Sequence, residues 1–206
     1  IFDDSYSWMI EELTELIDKK NSDSYWKVSV ENFGWQKRSG TGYVIASNAK
    51  VLLRKVLPEA CSELWASAIM RYSYNVSNGA YSRFMGLEKS DGTIMVALGL
   101  NNGSDHPEEI ILTLNGTTMH TLTLAYNTLA QFEIYFKRST TNGILRLWVN
   151  GLLVFEFTGN TGDDADLITA VSNRTDISIG WICIYMSDFV YSNVGRIGNK
   201  RPVMLS

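Results

Sequence analysis

The side chains able to do chemistry in this 206-residue chain are few and scattered. Glu133 and Glu156 each stand alone on an alternating segment, and Asp163, Asp164 and Asp166 crowd one short stretch. Glycoside hydrolysis needs two carboxylates facing each other across a groove, about 5–10 Å apart according to stereochemistry. Isolated acids on different strands do not offer that pair. Glu133, set between Phe132 and Ile134, reads as an outward-facing strand residue. A serine or cysteine nucleophile needs a base beside it. His106 precedes Pro107 in a polar loop, His120 sits mid-strand among threonines, and neither has a G-x-S-x-G elbow. No catalytic residues and no cofactor are assigned. The three aspartates could give oxygen ligands to calcium. Their loop lacks the sixth-place glycine and twelfth-place glutamate of an EF-hand, so it reads as a solvated acidic loop, and no metal site is assigned.

Sugar recognition asks for less: aromatic platforms with amide and hydroxyl partners. Trp35, Tyr72, Tyr74 and Tyr81 fall in or near loops, with Asn75 and Asn78 close in sequence. Trp35, Tyr72, Tyr74 and Asn75 make the candidate glycan set. Exposed aromatics equally mark a subunit interface, and both readings stand at this point.

Composition narrows the setting. Eighteen Lys and Arg against 22 Asp and Glu leave a formal charge of −4, which argues against binding nucleic acid through clustered cations. No run of about 18 apolar residues is present, so membrane insertion is not expected. No charged-then-apolar leader is read at the start of the chain. Cys61 and Cys183 are too few for a disulfide framework, and a buried free thiol is the default for Cys183 in its apolar strand. The sequons at Asn75, Asn102, Asn115 and Asn173 would matter only in a secretory pathway.

The elements that would position these groups are strands. In the segment from Gln131 to Gly159, Phe132, Ile134 and Phe136 alternate with Glu133, Tyr135 and Lys137, the period of two of a sheet with one buried face. Thr141-Asn142-Gly143 reads as a tight hairpin with positive φ, and Asn150-Gly151 as a second turn. Asp91-Gly92, Asn102-Gly103 and Asn115-Gly116 punctuate further apolar runs. Strands are predicted over 25–33, 43–46, 51–57, 64–74 (with room for a bulge), 81–89, 93–100, 109–114, 117–125, 168–171, 176–180 and 181–191. Residues 34–42, carrying Trp35, Lys37 and Arg38, read as a polar loop, and Pro58 to Ser62 as a break. Residues 1–6 suggest an edge strand. Residues 8–20 have a helical apolar face, with Ser7 as N-cap and charges that suit the helix dipole. Residues 194–206 show neither period and read as a C-terminal arm. Length and the lack of a linker predict one domain over 1–206. Strands near every 12 residues predict an all-β two-sheet sandwich or barrel.

Five pieces stand out: Phe2-Asp3-Asp4-Ser5, the strand around Gly92 to Leu98, Phe132-Glu133-Ile134-Tyr135 with Gly143 to Gly151, Ile177 to Gly180, and Met186 to Tyr191. Together they resemble the concanavalin A-like lectin/glucanase jelly rolls of bacteriophage structural proteins. Ser187 and Asn199 stand where that pattern has aspartates, and the likeness runs from Tyr25 onward. The resemblance implies a two-sheet antiparallel jelly-roll sandwich in a non-enzymatic virion protein: a tail fibre, tail tip or head decoration. Such a protein would bind other virion proteins or copies of itself, or a host surface glycan. The related retaining β-glucanases carry an E-x-D-x-E strand that this chain lacks.

Overall fold

The computed structural model describes residues 27–31, 35–39, 42–46, 50–72, 81–100, 109–125, 128–176 and 184–198. The expected edge strand at 1–6 and helix at 8–20 lie outside them, as do Tyr74, Asn75 and His106. Fourteen strands form among the described residues, and no helix. In chain order they are β1 (Lys27–Glu31), β2 (Trp35–Ser39), β3 (Gly42–Ala46), β4 (Lys50–Cys61), β5 (Glu63–Tyr72), β6 (Tyr81–Glu88) and β7 (Ile94–Leu100). Then follow β8 (Glu109–Leu114), β9 (Thr117–Thr123), β10 (Ala130–Lys137), β11 (Gly143–Val149), β12 (Leu152–Gly159), β13 (Ile168–Asp176) and β14 (Ile184–Ser192). The first sheet runs β1-β4-β13-β6-β7-β8-β9 and the second β12-β11-β10-β5-β14-β3-β2, with antiparallel neighbours. Neighbours far apart in sequence, such as β4 with β13 and β5 with β10, are the mark of a jelly roll, and the expected all-β sandwich is what forms.

The period of two decides which side chains meet between the layers. Phe132, Ile134 and Phe136 of β10 are buried, as are Leu145 and Leu147 of β11, against Phe84, Leu87, Leu98 and Leu112 of the other sheet. Each such side chain contributes about 1.5–3 kcal/mol by leaving water. At Phe84, β6 has one residue more than both its neighbours, since Arg83 pairs Gly99 while Met85 pairs Leu98. This bulge sends Phe84 and Met85 together into the core and keeps Arg83 on the outer face.

The Asn-Gly turns are where the sequence puts them. Asn115 and Gly116, and Asn150 and Gly151, all have positive φ, the left-handed pair that a two-residue hairpin requires. The turn before β11 is different. Lys137 pairs with Ile144, so the connection is a longer loop, and Gly143 already belongs to the strand without positive φ. Its glycine is needed for another reason, because a Cβ there would overlap Thr161 Oγ1. That hydroxyl donates to the carbonyl of Lys137 and accepts from Ser139 N, closing the loop.

Three other expectations change. Residues 35–39 are not loop but the edge strand β2, paired along its length with β3. Residues 58–61 belong to β4, yet the break shows as a slip: Val56 pairs Ala170 and Cys61 pairs Ile168. The irregularity allowed for in 64–74 sits on the facing strand, between Ser187 and Val190 of β14, while β5 pairs evenly with β10.

Candidate functional site

Both faces of β10 are covered. Glu133, read from the sequence as an outward-facing strand residue, does stand on the outer face of β10, yet it is 2% exposed. Its carboxylate accepts from Arg196 Nε at 3.1 Å, Ile197 N at 2.9 Å and Gly198 N at 3.1 Å. The outer face of the second sheet is thus crossed by the segment that the sequence marks as the start of an arm. Gln131 Nε2 adds a bond to the carbonyl of Gly198 and another to Ser67 Oγ. The Arg196 guanidinium lies 4.6 Å from the Trp148 ring, a cation–π contact, and reaches the carbonyl of Gly151.

Beside this strap the cross-strand register lines up Glu156, Arg146, Tyr135 and Trp65 on one outer row, with Leu153, Trp148, Glu133 and Ser67 on the next. Partners in register share a face, and here they bring three aromatic rings together. Trp65 stacks on Tyr135 with centroids 4.3 Å apart and meets Trp148 at 5.3 Å. Trp148 and Tyr135 are buried beneath their neighbours, whereas Trp65 is half-buried and keeps part of its surface free. Around the rings stand polar groups already oriented. Tyr135 donates its hydroxyl to Glu63 Oε2 at 2.6 Å, and Arg146 grips Glu156 through Nε and Nη2. Burial, and then the bond to and charge of Glu63, push the Tyr135 phenol up to about 12. A part-exposed indole beside a row of fixed polar groups can stack on a sugar ring while those groups bond its hydroxyls.

Of the candidate residues named from sequence, Trp35 on β2 and Tyr72 at the end of β5 are described, and Tyr74 and Asn75 are not. Tyr72 of β5 is in register with Ile184, which pairs Ile45, which pairs Gln36, so Trp35 lies one residue off that row and three strands away. The backbone brings Trp35 and Tyr72 to the same end of one sheet. Sequence reading missed Trp65, Tyr135 and Trp148. Trp65 and Tyr135 were each placed on an alternating strand, but that they are cross-strand partners follows only from pairing between segments 70 residues apart.

The other chemical candidates are occupied. Asp166 is bonded to Arg138 Nη2 at 2.9 Å and pairs with Lys89, and Asp164 accepts from the backbone and hydroxyl of Thr140. Asp163 caps Ala165 N, and the Thr140 bonds hold the Asp164 carboxyl below its usual range. Arg138, buried, also donates to the carbonyls of Thr161 and Asp163, so these acids form a latch between loops. Among the described residues no cluster of His, Cys, Asp or Glu has the makings of a metal site. His120 stacks on Phe155 at 5.1 Å between the edge strands β9 and β12. Cys61 is a free thiol that burial pushes up.

No protein-family model and no curated protein matches the chain in sequence. Solved structures do match in shape. A sialidase superposes at TM-score 0.61 with 13% identity over 82% of this chain. The carbohydrate recognition domain of Emp46p, in its metal-free form, does so at 0.55 with 14% identity, covering 82% of this chain and 90% of that one. The binding domain of botulinum neurotoxin DC in complex with SialylT gives 0.53 with 14% identity over 83% of this chain. The fold is the lectin-like jelly roll. This chain spans 17% of the sialidase and 44% of the toxin chain, and identities this low establish the fold alone. None of these three likenesses carries the virion setting that the sequence resemblance implied.

Proposed function

We propose that this domain binds glycans by contact, without catalysis, on the outer face of its second sheet. The observation that carries the reading is Trp65, part-exposed and stacked on Tyr135, whose hydroxyl bonds Glu63 and whose ring lies 6.0 Å from Arg146, itself paired with Glu156. A sugar stacks its apolar C–H face on an aromatic ring while its hydroxyls bond fixed polar groups, and small polar sets of this kind orient ligands elsewhere. The shared fold with the carbohydrate recognition domain of Emp46p and with the toxin binding domain in complex with SialylT supports the same class of ligand. Glu133 and Glu156, the acids a hydrolase would need, are each held by an arginine. A glycan array with the intact chain and with Trp65→Ala tests the reading. Binding lost in the variant supports it; an array blank for the wild type, or unchanged in the variant, rejects it.

A second reading keeps the virion role, with this domain docking on copies of itself or on other virion proteins. The observation favouring it is apolar exposure at the turn against which Arg196 docks: Leu152 is 70% and Leu153 43% exposed. Two exposed leucines at one end of the edge strand β12 suit an interface better than a sugar. Light scattering that finds only monomer at high concentration, with Leu152→Asp no different, removes the self-assembly form of that reading.

A further inference from the structure

Beside Trp65 stands a charge that the domain leaves unmatched. Glu133 and Glu156 each pair with an arginine, but among the described residues no cation pairs with Glu63. Lys137 is its register partner on β10, yet the two make no ion pair. Glu63 precedes Trp65 by two residues on β5, so both stand on the outer face, about 7 Å apart along the strand. Both are half-buried. The Glu63 carboxylate accepts the Tyr135 hydroxyl at Oε2, and Oε1 has no partner among the described residues. A carboxylate has about four acceptor positions, and one drawn partly out of water with a single donor is left short of partners.

The indole next to it is open on one side. Tyr135 and Trp148 both meet Trp65 from the side of β10 and β11. In register on its other side is Ser192 of β14, with only a hydroxymethyl to fill the space. β3 pairs with β14 from Ile184 to Met186, so past Ser192 the described residues add no further strand. Asn193 is exposed and Val194 is 92% exposed, so the chain leaving β14 stands in solvent. Ser192 Oγ accepts from Val194 N, and its own hydrogen has no acceptor among the described residues. A ring laid on this side of Trp65 therefore meets an unmatched acceptor and a hydroxyl donor. Sugar hydroxyls would supply what Glu63 lacks, whereas a second carboxylate would face it with no cation between them. Arg146 and Arg196, which lie on the neighbouring rings, are each already matched by a glutamate.

We propose that the niche between Trp65 and Ser192 takes a neutral pyranose, with Glu63 accepting its hydroxyls and turning acidic sugars away. The sugar class rests on the glycan-binding reading; the preference for a neutral one rests on Glu63.

The test titrates the intact chain with the methyl glycosides of glucose, galactose and mannose and of the matching uronates, at fixed ionic strength. The Trp65 indole is followed by NMR. At least one neutral sugar should bind with a saturable shift, and its uronate should bind about tenfold more weakly through repulsion in a part-wet site. Glu63→Gln keeps the shape and an acceptor for Tyr135 but removes the charge. It should weaken the neutral sugar about threefold to tenfold, because a hydrogen bond to a charged acceptor becomes one to a neutral acceptor. It should also bring sugar and uronate within about twofold of each other. A merely structural Glu63 would weaken both alike and leave their ratio unchanged. Near-ultraviolet dichroism shows whether the variant folds. Ser192→Leu, which fills the niche and leaves Glu63 in place, is the second arm and should abolish binding of the neutral sugar. The proposal is overturned if sugar and uronate bind alike, if Glu63→Gln leaves their ratio unchanged, if Ser192→Leu binds normally, or if none of the six binds. Glycan binding that needs Trp65 yet ignores Glu63→Gln would sink this proposal and leave the carbohydrate reading standing.

Discussion

Replacing Glu133 with Gln should loosen the strap and destabilise the whole domain. The carboxylate is buried and receives three donors, two of them backbone amides and one a guanidinium. An amide of the same shape keeps one acceptor oxygen and turns an NH2 toward donors that cannot receive it. Hydrogen bonds to charged groups are worth about 1.5–3 kcal/mol each, and breaking a fully buried ion pair costs about 3–5 kcal/mol. Arg196, with its side chain 41% exposed, regains water, so the upper range does not apply. A loss of about 2–3 kcal/mol follows, or about 4–12 °C in Tm for a domain of this size. Thermal unfolding by circular dichroism reads the magnitude, and hydrogen exchange at Ile197 and Gly198 reads the place, since both amides should become fast while the core of β10 stays protected. A Tm within about 1 °C of wild type, with both amides still protected, would refute the assignment of Glu133 as the strap's anchor.

Other outcomes follow from the same geometry. The Tyr135 phenol is raised to about 12, so stability is fully present below the unfolded value near 10 and declines between about pH 10 and 12; Tyr135→Phe should remove that decline in alkaline denaturation curves. Gly143→Ala should cost about 2 kcal/mol or more, because the new methyl overlaps Thr161 and forces open the 138–142 loop; urea unfolding measures it, and a neutral result contradicts the close approach. Calcium should shift Tm by less than about 1 °C, since Asp164 and Asp166 already bond Thr140, Arg138 and Lys89; a concentration-dependent rise in Tm would contradict the latch.

Much of the sandwich could be read from local pattern. The alternation of Phe132, Ile134 and Phe136 names a core face, and Asn115-Gly116 and Asn150-Gly151 name hairpins, because both signals depend on neighbours within a few residues. What failed depends on distance. Glu133 looks outward-facing from its own strand, and only residues 63 to 65 positions further on cover it. Trp35 looks like loop because Lys37, Arg38 and Ser39 lack apolar alternation, yet an edge strand needs only one partner, which β3 supplies. Gly143 was credited with a positive φ when its role is to leave room for Thr161. The Trp65 face was invisible for the same reason as the strap, since its rings arrive from β5, β10 and β11 and meet only after pairing.

The most direct test of carbohydrate recognition at this face is side-chain NMR of the tryptophan indoles during titration with the best-binding oligosaccharide from an array. The Trp65 indole should shift in a saturable way, with Trp35 still and Trp65→Ala abolishing the interaction. Saturable binding that moves Trp35 and leaves Trp65 unmoved, or binding that survives the loss of Trp65, would contradict it.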